Sequence, residues 1–141
     1  MIQFFAENVD IPEIDTEKIN EWIKQISHFY GKKPGNINYV FCNNEHILDL
    51  NKKFLQHDYF TDIITFDYGI DNLISGDIFI SLNTVSSNAN DLGIDFNDEL
   101  HRVIIHGVLH LCGQDDKTEA SQKEMRRKED EALEQLKRLD N

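Results

Sequence analysis

Apolar and polar positions change their period several times along this chain. Residues 1–6 alternate loosely and predict a first strand. Pro12 and Asp15 punctuate, and then Ile19, Trp22, Ile23, Ile26, Phe29 and Tyr30 recur at helical spacing until Gly31. Ile37–Cys42 predicts a second strand. A short helix follows, capped by Asn43 or Asn44 and carrying Ile47, Leu48, Leu50, Phe54 and Leu55. Residues 62–67 and 77–81 are strand-like, with turn-like sequence over 68–75, and a polar helical stretch falls near 82–91. Asn97 is placed as the cap of the most apolar helix, with Asp98 and Glu99 in its first turn. Its residues Leu100, Val103, Ile104, Ile105, Val108, Leu109 and Leu111 cover most of its circumference, which predicts burial in the core, and Gly113 suits its carboxyl end. A last helix starts near Thr118, with Ser121 and Glu124 as its capping-box pair, and turns Met125, Ala132, Leu133, Leu136 and Leu139 inward. The order β-α-β-α-β-β-α-α-α predicts an α+β fold: a small mixed sheet of about four strands packed against helices, one of them central and buried.

At 141 residues a single domain spanning 1–141 is expected, large enough to fold without a staple. Two prolines, seven glycines and 40% hydrophobic residues argue against disordered or repetitive classes. Twenty-six acids against fourteen Lys and Arg give −12, which rules against a simple electrostatic coat for DNA or an anionic membrane. Cys42 and Cys112 are too far apart and too few for a disulfide framework, and Met1-Ile2-Gln3-Phe4-Phe5 shows neither a basic n-region nor a long apolar run, so no secretory signal is expected. The expectation is a cytoplasmic protein with no membrane partner, acting as a monomer.

The chemistry concentrates on the buried helix. His106 and His110 stand at i and i+4, on one face and one turn apart, so both imidazoles can reach one ion. Past the Gly113 turn come Asp115 and Asp116, and either can swing a carboxylate back beneath the histidines. Two nitrogens and one oxygen leave the fourth position of a tetrahedral Zn²⁺ open to water, the arrangement of a catalytic site. Buried histidines on an aliphatic face need partners, which weighs against a chance pair. Gly107 occupies the position where zinc peptidases carry their Glu base, and a glycine in mid-helix suggests close approach of a strand or of substrate. His101 points away from the pair and reads as a surface histidine.

The run His106-Gly107-Val108-Leu109-His110-Leu111-Cys112-Gly113-Gln114-Asp115-Asp116 resembles the signature H-G-x-L-H-L-x-G-x-D-H of the YbeY family, single-strand-specific endoribonucleases of ribosomal RNA maturation. Leu50-Asn51, Thr61-Asp62-Ile63-Ile64-Thr65-Phe66, Gly76-Asp77-Ile78 and Glu124-Met125 extend the resemblance over residues 35 to 139. It implies one Zn²⁺ on three side chains, and single-stranded RNA, ribosomal RNA and ribosomal subunits as partners. Asp116 stands where the family has its third histidine, so the implied ligand and catalytic set is His106, His110 and Asp116, with Asp115 orienting a ligand or the turn. An Asp ligand leaves the site about +1 rather than +2, which acidifies water less and widens metal choice towards Mn²⁺ or other divalent ions. Leu55 stands where the family often has an Arg on RNA phosphate, and His57 is the nearest substitute when protonated.

The implied reaction is metal-assisted phosphodiester hydrolysis, with attack by the ribose 2′-OH as an alternative. Asp62 and Asp77, near strand ends, read first as turn or cap residues and second as bases. Tyr59, Phe60 and Tyr68 are available to stack on bases. From His57 to Asp116 the only Lys or Arg is Arg102, against eleven acids. The pairs Lys32-Lys33 and Lys52-Lys53 are candidates to rim a cleft, while Lys123, Arg126, Arg127 and Lys128 interleave with acids as a solvated face. Two rival functions remain at this point: a non-catalytic ribosome-assembly factor with a structural metal, and a metallohydrolase of another substrate.

Overall fold

The computed structural model describes residues 1–55 and 61–139. His57, Tyr59 and Phe60 lie outside the described residues. The elements follow the order expected: β1 (Ile2–Ala6), α1 (Thr16–Phe29), β2 (Lys33–Cys42), α2 (Asn44–Leu55), β3 (Ile63–Asp67), β4 (Leu73–Ser81), α3 (Leu82–Leu92), α4 (Phe96–Leu111) and α5 (Glu119–Arg138). The four strands form one mixed sheet in the order β1-β2-β4-β3, with β1 and β4 parallel to β2 and β3 antiparallel to β4. The turn-like stretch before Asp77 is shorter than its sequence suggests. Leu73, Ile74 and Ser75 already belong to β4, because parallel pairing with Lys33 and Pro34 of β2 extends both strands.

Alternation along the strands sends Ile37, Tyr39 and Phe41 of β2 and Ile74, Ile78 and Ile80 of β4 to one face. There they meet Ile19, Trp22, Ile23 and Ile26 of α1 and the apolar surface of α4. The opposite face is smaller: Ile47 of α2 packs on Cys42 and Ile64, with Leu50, Phe66 and Phe79 around them. α4 therefore lies between the sheet and the outer helices, and Leu100, Ile104, Ile105 and Val108 are fully buried. Two polar groups enter this core with their partners. The Tyr39 hydroxyl donates to the Ile104 carbonyl at 2.8 Å, and Trp22 Nε1 donates to Ala132 O at 2.8 Å, tying α1 to α5.

Several local expectations change. α4 starts at Phe96 with Asp95 as its cap residue, so Asn97 sits inside the first turn. The capping box of α5 is Thr118 with Ser121, not Ser121 with Glu124: the Thr118 hydroxyl accepts from Ser121 N at 3.0 Å, and Thr118 N donates to Ser121 Oγ at 2.9 Å. Thr118 wins because it has the extended backbone that a cap needs, whereas Ser121 is already helical. Glu124 instead pairs with Arg127, whose Nε lies 3.2 Å from Glu124 Oε2. His101 is half-buried and packs edge-on to Trp22, with ring centroids 6.1 Å apart.

Gly107 is explained by packing. A Cβ there would stand 2.9 Å from Ile78 Cδ1 and 3.3 Å from Ile63 Cδ1, so the glycine lets α4 sit down on β3 and β4. No helix among the described residues is long and apolar enough to cross a membrane.

Candidate metal centre

The helix α4 carries its two histidines into a cleft whose other wall is β3. Beyond Leu111 the chain turns through Gly113, whose φ of +101° suits a residue without Cβ. Gly113 N donates to His110 O at 2.9 Å and Gln114 N to Leu109 O at 3.0 Å, the paired bonds of a Schellman turn. That turn reverses the chain and returns Asp116 beneath α4. Asp116 Oδ2 lies 3.4 Å from His106 Nε2 and 3.3 Å from His110 Nε2. The two imidazoles meet edge to face, centroids 4.5 Å apart. His106, His110 and Asp116 are thus grouped so that one donor atom from each lies within 4.8 Å of the others, and they are able to hold a metal ion. A tetrahedral ion with ligands at about 2.0–2.1 Å has edges of about 3.3–3.4 Å, the separation of Asp116 Oδ2 from each histidine.

Asp115 does not join this group. It is exposed, and its Oδ1 accepts from Lys117 N at 2.8 Å, so it shapes the turn that delivers Asp116. Cys112 stays outside as well, and burial pushes its thiol up to about 11. Of the two strand-end acids, Asp77 lies on β4, where it accepts from Asn38 Nδ2 at 3.1 Å. Asp62 instead lines the cleft beside His106, and burial raises its carboxyl above the ordinary range.

The cleft has a volume of about 590 Å³ and includes Leu55, Thr61, Asp62, Asp67, His106, His110, Asp116 and Lys117 in its lining. Neither lysine pair lines it. Lys117 does, and Arg126 lines the adjoining hollow with His106, Asp116 and Glu129. The reading of residues 123–128 as a solvated face holds for Lys123, Arg126 and Arg127, each exposed and paired with an acid of α5, although Arg126 also borders that hollow.

The largest omission of the sequence reading is Glu129. It is only 5% exposed, and its Oε2 lies 2.6 Å from His106 Nδ1. Its Oε1 accepts from Arg102 Nη1 at 2.9 Å, and Arg102 Nη2 reaches Asp130 Oδ1 at 2.8 Å. A signal did exist: Arg102 precedes His106 by four residues and shares its helical face. Burial lowers the His106 pKa, but the bond to Glu129 and the charges of Glu129 and Asp116 outweigh it, so the metal-free ring is raised overall. Glu129 is lowered overall: burial raises it, and the His106 and Arg102 hydrogen bonds prevail. Behind these groups a cavity of about 170 Å³ is bordered by Asp62, Glu99, Arg102, His106, Arg126 and Glu129. Glu99 Oε1 is buried there with no hydrogen-bond partner among the described residues.

Known proteins with this sequence pattern are numerous. The family model described as Endoribonuclease YbeY matches residues 3–137. A Parabacteroides distasonis protein named Endoribonuclease YbeY is 52% identical over 94% of this chain and 93% of its own length. Its namesake in Bacteroides thetaiotaomicron is 49% identical over 94% and 96%. The solution structure of TM1509 from Thermotoga maritima superimposes with a TM-score of 0.65 at 26% identity, covering 96% of this chain and 89% of that one. With the family model spanning nearly the whole chain and relatives identical at half of their positions, this chain belongs to the YbeY endoribonuclease family.

Proposed function

We propose that this protein is a metal-dependent, single-strand-specific endoribonuclease of small-subunit ribosomal RNA maturation. It carries one Zn²⁺ on His106, His110 and Asp116. The observation that carries the reading is the convergence of three donor atoms from α4 and the turn after it, at separations suited to a tetrahedral ion. A divalent ion held there supplies a Lewis acid for a phosphoryl oxygen and lowers the pKa of a water. The chain's own groups do the rest. Lys117 brings positive charge to a cleft otherwise rich in carboxylates, where a phosphate needs it, and Arg126, paired with Glu129, borders the hollow beside it. In this reading Asp62, in the cleft wall with its pKa raised by burial, is the candidate to take the proton of an attacking water or 2′-OH. Tyr68 is exposed but does not line the cleft, so it contributes to this reading only as a surface on which a longer RNA could stack. The reading carries with it ribosomal subunits as partners, a cytoplasmic location and action as a monomer.

The test is cleavage of matched single-stranded and duplex RNA by metal-replete protein, with and without chelator, beside His110→Ala. Chelator-sensitive cleavage of the single strand, lost in the folded variant, is the expected result. Intact RNA with fully loaded protein would leave the assembly-factor reading in its place.

A further inference from the structure

We infer that Glu129, held by Arg102, is a positioning residue that fixes the tautomer of His106 so that Nε2 presents a lone pair to the metal position. The inference rests on the metal reading above and deepens it. Arg102 has only N–H donors, so its 2.9 Å contact commits Glu129 Oε1 as an acceptor. Oε2 of the ionised carboxylate is likewise acceptor-only, and it lies 2.6 Å from His106 Nδ1. In the neutral ring Nδ1 must then carry the proton, and Nε2, which faces Asp116 Oδ2 at 3.4 Å, must not. A carboxylate on the far nitrogen also makes an imidazole a more basic ligand.

The arrangement is one-sided. Among the described residues His110 has its contacts with Asp116 and His106 and no carboxylate at a comparable distance on its other nitrogen. His106 is therefore the clamped ligand. The clamp also bridges two helices, since Arg102 and His106 belong to α4 and Glu129 and Asp130 to α5. The clamp therefore exists only with α5 packed on α4.

Glu129→Gln separates positioning from packing. The amide has one acceptor, which Arg102 takes; its NH₂ then faces Nδ1, and the proton moves to Nε2, towards the metal position. The isosteric Gln should therefore weaken zinc binding at least as much as Glu129→Ala, by about 10–100-fold in a chelator competition. A packing role predicts the reverse order, with Gln close to wild type. The second measurement needs no variant: nitrogen–proton correlation spectra of the metal-free wild type, recorded above the imidazole titration. They should show His106 protonated at Nδ1. Protonation at Nε2 in the wild type, or Gln binding zinc within about twofold of wild type, overturns the inference. Wild-type protein that binds no zinc would instead remove the metal reading, and the spectra would still decide the tautomer.

Discussion

Asp116 Oδ2 stands 3.3 Å from His110 Nε2, across a helix end and a left-handed glycine. The carboxylate takes the place where the family pattern has a histidine, and that replacement changes the charge of the site by one unit. Asp116→His should therefore restore the more positive ligand set and acidify the reactive water more strongly. The rising limb of the RNA-cleavage pH profile should move to lower pH, and preference for zinc over manganese should increase. Asp116→Ala should lower both zinc affinity and cleavage by more than about a hundredfold. Profiles of the wild type and the two variants, each with its metal content measured, check this; a histidine variant with an unmoved limb would count against a metal at this site.

Leu55 is 43% exposed and lines the same cleft. Leu55→Arg adds a cation where the chain has an aliphatic group. RNA affinity should rise, and the slope of log affinity against log salt should steepen by about 0.7, the value for one added contact to single-stranded phosphate. Filter binding of an uncleavable RNA across a salt series measures it. An unchanged slope means that residue 55 does not meet the backbone.

Gly107 sits where α4 touches the sheet. Gly107→Ala gains about 1 kcal/mol of helix propensity. Its Cβ also drives into Ile78, which is fully buried, and such overpacking costs about 1–3 kcal/mol. The net expectation is a loss of about 1 kcal/mol in urea unfolding. Gly107→Val should lose more, because a branched side chain adds two methyls at the same contact.

Glu99 is buried with no partner for Oε1 among the described residues, and its pKa is raised, first by burial and then by the charge of Asp62. A carboxyl with a higher pKa folded than unfolded binds more protons in the native state. Its stability contribution therefore falls as pH rises from the unfolded value through the folded one. Glu99→Gln removes that titration. Compared with wild type, the variant should gain thermal stability above this window and gain less, or nothing, below it. Melting curves at pH 4 and pH 8 decide the matter; an equal shift at both values would assign the effect to packing instead.

The elements and their order were legible because each carries its own period: two along Ile37, Tyr39 and Phe41, and 3.6 along α1 and α4. The candidate ligands were legible for the same local reason. His106 and His110 are one helical turn apart, and Gly113 announces the reversal that brings an aspartate back. Choosing between Asp115 and Asp116 was different, because the direction of each side chain depends on the hydrogen bonds of the finished turn. Glu129 could not be read at all from its own neighbourhood. Along α5 it is one acid in a charged run, and its burial exists only once α5 lies across α4 and Arg102 meets it. The chain by itself thus determined what repeats along one helix or strand, since backbone geometry converts spacing into a shared face. Tertiary packing alone decided which charged groups lose water and must find one another, because desolvation is set by neighbours distant in sequence.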